Sequence, residues 1–322
     1  MILNILLLIA SGAILFWSAN QIVKGVTFAA NYFKWSEFVI AFFVMALAGA
    51  LPNLFVGLSS VAHGIPELSF GDVVGSSVVD LTLIVAIAVF IGGGLSAKGK
   101  TVQASSVFAI FIAILPLLLI LDGTLSRGDG IALILIFIAY TAWLITKRRK
   151  FSATFNNNEE ERPTVRFRAL FLNFIRMLIG MVLLLVAAEG MVRSMTFFAA
   201  AFRLPIILLG ILVSGLGTSL PEAYFAITAA RKGKGDIIMG DLMGSVIVAS
   251  SLVLGIVAIL QPIIIEDFSP FAIARFFVFF AALFFLLFVR TERRITKKEG
   301  IFLLGIYIAF VVAEIVSHSL GM

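Results

Sequence analysis

Cysteine is absent from these 322 residues and histidine occurs only twice. That excludes disulfides, thiolate metal centres and imidazole pairs placed for metal or acid–base chemistry, while leaving the redox compartment open. Charge is scarce too: 13% of residues are charged and 61% hydrophobic, with a mean hydropathy of +1.14. A water-facing surface needs far more polar side chains than this, so a soluble domain is excluded. No nucleophile stands beside a base and no metal-protease motif occurs, which argues against an intramembrane enzyme. No nucleic-acid motif is present either. The net charge of +6 reflects membrane topology and attraction to anionic lipid.

What the chain has in abundance is long apolar runs. A hydrocarbon core of roughly 30 Å takes about 20 helical residues, and ten such spans are expected, near 2–22, 36–62, 69–92, 101–121, 129–147, 168–200, 205–230, 237–262, 270–290 and 299–317. The first is read as a retained anchor, because no basic leader or small-residue cleavage site accompanies it. The polar stretch at 148–167, with Asn156-Asn157-Asn158-Glu159-Glu160-Glu161, reads as a flexible cytoplasmic linker between residues 1–147 and 168–322.

Those two parts are copies of each other. Asn20–Asp80 aligns without a gap on Glu189–Ala249, matching Leu51-Pro52-Asn53 with Leu220-Pro221-Glu222, Gly71-Asp72 with Gly240-Asp241 and Gly75-Ser76 with Gly244-Ser245. With one inserted residue, Asp129-Gly130-Ile131 falls on Glu299-Gly300-Ile301. Five spans per copy is an odd number, so the second copy enters the bilayer from the opposite side. The predicted fold is all-α, integral to the membrane, with ten transmembrane helices in two inverted five-helix repeats. Repeats of this kind point to a transporter.

Basic residues give an independent test, since positively charged loops stay cytoplasmic. They collect on alternate connections: Lys24 and Lys34, Lys98 and Lys100, Lys147 to Arg168, Arg231 to Lys234, and Arg290 to Lys298. Both termini are therefore expected outside a plasma or inner membrane, with the 148–167 linker inside.

Six carboxylates fall within the spans: Asp72, Asp80, Glu189, Glu222, Asp241 and Glu314. Each costs several kcal/mol at membrane depth unless paired or hydrated. Glu222 closes Gly217-Thr218-Ser219-Leu220-Pro221-Glu222, where proline should break the helix and free carbonyl oxygens. Free carbonyls, two hydroxyls and a carboxylate make an all-oxygen set suited to Na⁺ or Ca²⁺; the bland alternative is a simple proline kink with back-bonded hydroxyls. Its repeat partner, Gly49-Ala50-Leu51-Pro52-Asn53, keeps the proline but loses both hydroxyls and the charge, leaving Asn53 an amide carbonyl to offer.

Ser76 and Asp80 share one helical face, with Ser77 beside them, and Ser245 matches Ser76 in the second copy. Asp80 alternatively bonds a neighbouring helix. Asp72 and Asp241 each follow a glycine before a long apolar run. Capping of a helix start explains them better than cation binding does, although they stay candidates for an access route. Glu189 can pair with Arg193 one turn on. Glu314 is read as interfacial, and His63 and His318 as isolated residues.

Gly-Thr-Ser-Leu-Pro-Glu at 217–222, followed by Gly-Asp-Leu-Met-Gly-Ser at 240–245, resembles the alpha repeat of the calcium/cation antiporters, in particular prokaryotic sodium/calcium exchangers. Leu51-Pro52-Asn53 and Gly71-Asp72-Val73-Val74-Gly75-Ser76 form the weaker first copy. The resemblance implies a midplane cation site built by spans 2, 3, 7 and 8, and alternating access in which spans 1 and 6 slide past the rest. It places ligands at Thr218, Ser219, Glu222 and Ser245 and at Asn53, Ser76 and Asp80, with backbone carbonyls near Ala46 and Gly215. The family typically carries glutamate in both proline motifs and often an acid where this chain has Ala249, so this site should hold fewer Na⁺ ions at once.

The resulting expectation is an antiporter, not an enzyme. It would move Ca²⁺ or a related divalent ion against Na⁺ or H⁺ without a cofactor, its only partners inorganic cations and the lipid bilayer, with the monomer as functional unit. A monovalent cation/proton exchanger, or a non-transporting cation sensor or scaffold, is the alternative.

Overall fold

The computed structural model describes residues 1–32, 46–148, 163–265 and 269–319. In chain order the helices are α1 (Ile2–Tyr32), α2 (Ala46–Ala62), α3 (Pro66–Gly92), α4 (Lys100–Leu119), α5 (Arg127–Arg148), α6 (Pro163–Phe202), α7 (Ile206–Ala230), α8 (Gly235–Leu260), α9 (Ser269–Arg290) and α10 (Lys297–Ser319). Nine of them, among the described residues, are long and apolar enough to cross a membrane. The tenth, α2, is described only from Ala46, so the beginning of the second span lies outside the described residues, as does most of the 148–167 linker. Helix α6 already starts at Pro163, within the stretch read as linker.

The duplication is visible in small details. Helix α5 opens with a capping box in which Ser126 N–H donates to Asp129 Oδ2 (2.8 Å) and Asp129 N–H returns to Ser126 Oγ (3.2 Å). Helix α10 repeats it with Thr296 and Glu299, at 2.7 and 3.4 Å. The aligned Asp129 and Glu299 therefore satisfy equivalent free amides at two helix starts. Two short antiparallel ladders, which hydropathy could not reveal, tie one copy to the other. Strand β1 (Leu95–Ser96) pairs with β4 (Arg294–Ile295), and β2 (Thr124–Leu125) pairs with β3 (Ile263–Ile264).

The ladders belong to different apolar clusters. Leu95 and Ile295 pack with Val89, Met239 and Phe285, whereas Leu125 and Ile263 pack with Phe70, Val257 and Phe271. Phe70 and Met239 are repeat partners, so the copies contribute equivalent residues to the two clusters, as an inverted pseudo-two-fold requires.

Burial separates scaffold from periphery. The α3 and α8 spans are 78% and 83% buried, whereas those of α1, α5, α6 and α10 are 22% buried and present apolar side chains outward. Helices α1 and α6 pack along each other. Their 31 and 40 residues correspond to roughly 46 and 60 Å at about 1.5 Å per residue, longer than the roughly 30 Å hydrocarbon core.

Glycine brings α3 and α7 together. A Cβ built on Gly215 would lie 2.7 Å from the Gly75 carbonyl carbon, and one on Gly75 would overlap Ile211. Backbones can approach this closely only where side chains are missing, and the approach sets Asp72 and Ser76 of α3 against Ser214 and Thr218 of α7.

Candidate cation site

Both proline motifs interrupt their helices in the same way. Helix α2 breaks at Ala50 (φ −75°, ψ −4°) between Gly49 and Leu51, and α7 breaks at Ser219 (φ −84°, ψ 0°) between Thr218 and Leu220. The proline one residue further on has no N–H to continue the ladder. Gly215 O receives only long bonds, from Ser219 N at 3.3 Å and Thr218 Oγ1 at 3.4 Å. Its repeat partner Ala46 O accepts from Ala50 N at 3.0 Å. A carbonyl has two lone pairs, so Ala46 O retains one for another partner, whereas both of those on Gly215 O are engaged, each by a long bond.

The facing helices are widened at equivalent places. Helix α3 has a π-helical turn at Asp80–Ile84 and α8 one at Val248–Val253. In these turns the repeat partners Thr82 and Ser251 bond back to Val78 O and Ile247 O. A third π turn, Gly210–Ser214, precedes the break in α7. Such turns shift the register of a helical face and recur at functional sites.

Between these breaks and bulges lies one polar cluster. Asn53, Asp72, Ser76, Asp80, Ser214, Thr218, Ser219, Glu222, Asp241 and Ser245 are each no more than 3% exposed. Ser245 Oγ donates to Glu222 Oε1 at 2.9 Å. The hydroxyls of Ser219 and Ser245 face Asp80. Asp80 Oδ1, Glu222 Oε2 and Ser219 Oγ are nevertheless buried without a hydrogen-bond partner. Unpaired oxygens at this depth cost several kcal/mol; a cation would satisfy all three. Among the described residues no three acidic or imidazole side chains converge tightly enough to hold a metal alone. A shell of about six to eight oxygens, as Ca²⁺ takes, has to draw on hydroxyls and carbonyls.

The capping reading of Asp72 and Asp241 is corrected. Helix α3 begins at Pro66 and α8 at Gly235, so both aspartates lie six residues past the helix start, beyond the first-turn amides that a cap would satisfy. Asp72 instead accepts from Asn53 Nδ2 (2.9 Å), Thr218 Oγ1 (3.0 Å) and Ser214 Oγ. It is within electrostatic reach of Asp80, and Asp241 is within reach of Asp80 and Glu222. Four acids, rather than two, share the cluster. Ser214 was missed by sequence reading; its spacing of one turn before Thr218 was the available signal.

Ser77 Oγ–H, like that of Ser76, is donated to Val73 O within its own helix (2.7 Å). Other expectations need revision. Asn53 turns its amide nitrogen, not its carbonyl, toward the acids. Glu314, read as interfacial, is buried in the protein at 1% exposure, with Oε1 lacking a partner. His63 is not isolated: its Nε2 lies 3.3 Å from Glu189 Oε1. Glu189 also receives Ser59 Oγ at 2.7 Å and the anticipated Arg193 Nε at 2.6 Å, so it ties α6 to the end of α2.

Comparisons with known proteins agree with this architecture. The family model described as sodium/calcium exchanger protein matches residues 3–146 and again 172–316, once per repeat. Inner membrane protein YrbG of Escherichia coli is 24% identical, the alignment covering 96% of each chain. Sodium/calcium exchanger MaX1 of Methanosarcina acetivorans is 25% identical over 96% of this chain and 97% of its own. Among solved structures, the sodium–calcium exchanger NCX_Mj soaked with Na⁺ and Sr²⁺ superposes with a TM-score of 0.68 at 23% identity, covering 97% of this chain and 98% of that one.

Proposed function

The chain belongs to the sodium/calcium exchanger protein family, and from that premise we propose that it is a secondary antiporter exchanging Ca²⁺, or a related divalent cation, for Na⁺ or H⁺ by alternating access. It works in a plasma or inner membrane with both termini outside, the 148–167 linker inside, and the monomer as functional unit. The cation sits among Glu222, Asp80, Ser76, Thr218, Ser219 and Ser245, with carbonyls of Gly215 and Ala46 in reach. Asn53, Asp72 and Asp241 set the charge around it.

One observation carries this reading: Glu222 Oε2 and Ser219 Oγ at the broken turn of α7, and Asp80 Oδ1 of α3, are all buried and unpaired. Two carboxylates match the charge of one divalent ion or two monovalent ones. Because both cargoes need the same oxygens they exclude each other, and an unloaded pair is too costly to carry through the closed state. That competition couples the two fluxes.

The test is ⁴⁵Ca²⁺ uptake into proteoliposomes under separate outward Na⁺ and H⁺ gradients. Uptake driven by one gradient, and abolished in Glu222→Gln and Asp80→Asn, is expected. Uptake that survives both substitutions refutes the site, and no uptake under either gradient refutes Ca²⁺ exchange. The replacement of a second glutamate by Asn53 favours one other reading, exchange of monovalent cations for protons; ²²Na⁺ flux under a proton gradient without any Ca²⁺ flux would establish it.

A further inference from the structure

The two halves of the cluster are built alike but filled differently. In the second half Glu222 is within electrostatic reach of Asp241, accepts Ser245 Oγ at 2.9 Å and keeps Oε2 unpaired. In the first half the equivalent residues are Asn53, Asp72 and Ser76. Here Asn53 Nδ2 lies 2.9 Å from Asp72 Oδ2 and 3.2 Å from both Ser76 Oγ and Thr218 Oγ1. One nitrogen thus stands among three oxygens drawn from two other helices.

The hydroxyl protons show which way these bonds run. Ser76 Oγ–H is directed to Val73 O at 3.1 Å, and Thr218 Oγ1–H has Asp72 Oδ1 and Ser214 O as acceptors, each at 3.0 Å. With their protons engaged elsewhere, both hydroxyls can offer the amide only lone pairs. Turning the amide over would set its carbonyl oxygen against the Asp72 carboxylate. The NH₂ group, a donor with two protons and no acceptor capacity, is the orientation that faces all three oxygens, with one proton shared between two of them. Acceptors converging on one buried, electropositive centre are what a monovalent cation would need there.

The other half explains why this filling is unique to one copy. Thr218 matches Gly49, and a Cβ at Gly49 would come within 2.7 Å of Glu222 Oε1. The volume that a threonine fills beside Asn53 is kept free beside Glu222.

We propose that the Asn53 amide is a permanent substitute for a cation, closing a monovalent ion position between Asp72, Ser76 and Thr218 and leaving the second-repeat half as the exchangeable one. The proposal rests on reading the cluster as an ion site. Asn53 is then a specificity-determining residue: it lowers the number of monovalent ions per cycle by holding a fixed N–H donor against Asp72 where an ion would otherwise sit, not by acting as a ligand.

The experiment counts bound ions on purified full-length protein in detergent, combining ²²Na⁺ equilibrium binding with protons released on adding Ca²⁺, read by a pH-indicator dye. Asn53→Asp is expected to raise the total of Na⁺ plus H⁺ by about one per chain, and Asn53→Ala, which only vacates the position, to do the same. The charge-swapped pair Asn53→Asp with Asp72→Asn is expected to return the total to that of the native chain, because an amide again faces a carboxylate. An unchanged total in Asn53→Asp and Asn53→Ala overturns the proposal, as does a swap that keeps the extra ion. If Asn53→Asp does not give a monodisperse protein, Asn53→Ala and the swap decide. If the native chain binds neither Na⁺ nor Ca²⁺, the antiport reading fails by itself, while an ion gained by Asn53→Ala would still support the closed position.

Discussion

A single methyl group at Gly215 should dismantle the polar cluster without removing any of its side chains. Its Cβ would lie 2.7 Å from the Gly75 carbonyl carbon and 2.9 Å from Gly75 Cα, whereas ordinary contact between such atoms begins near 3.4 Å. The nearest atom, Ser76 N, would be 2.5 Å away, so helices α3 and α7 would have to part by about 0.9 Å to relieve the overlap. The 3.0 Å bond from Thr218 Oγ1 to Asp72 Oδ1 would stretch to about 3.9 Å, beyond a hydrogen bond. Overpacking costs about 1–3 kcal/mol, and removing a donor from a buried carboxylate costs about 1.5–3 kcal/mol more. The expected loss for Gly215→Ala is therefore about 2.5–6 kcal/mol. It is read as a lowered midpoint of thermal unfolding in detergent together with weakened ⁴⁵Ca²⁺ binding. Gly305→Ala in α10, where nothing lies within 4 Å of an added Cβ, is the control and should leave both unchanged. If Gly215→Ala melts and binds like the native chain, the close crossing of α3 and α7 does not hold the cluster together.

Three further outcomes follow from individual contacts. Ser214→Ala takes one donor from the fully buried Asp72 and should lower stability by about 1.5–3 kcal/mol; a neutral melting curve would mean that Asp72 is satisfied otherwise. The duplicated capping boxes predict that Ser126→Ala and Thr296→Ala each cost about 0.5–2 kcal/mol and cost the same as each other within error, so a clear difference in their melting temperatures would count against equivalent helix starts. Glu189→Gln should loosen α6 from the end of α2 by no more than about 1 kcal/mol, since the carboxylate is 30% exposed and partly screened; limited proteolysis at the α2–α3 turn, faster in the variant, would register it.

Much of the ion cluster could be read in the sequence because its determinants are local. Pro52 and Pro221 break their helices wherever they stand, and Glu222, Ser76 and Asp80 are costly enough in a bilayer to declare themselves. Asp72 was misread for an equally local reason. With the third span taken to begin near residue 69, Gly71-Asp72 looked like a helix start, although Ile65-Pro66 carried the better signal, proline at the first helical position. Moving that boundary by one turn turns a cap into a member of the site. The Glu189–His63 pair escaped because its partners lie on helices far apart in sequence.

The chain by itself determined its solvent, its duplication, the number of its spans and the places where helices break, because hydropathy, register and the missing proline N–H act within a few residues. Only the tertiary structure decided which polar groups meet. The glycine-lined crossing of α3 and α7 brings Ser214 and Thr218 onto Asp72, and the protons already committed by Ser76 and Thr218 turn the Asn53 amide toward them. Those facts depend on helix approach and on the direction of each hydrogen bond, and neither is encoded in any one segment.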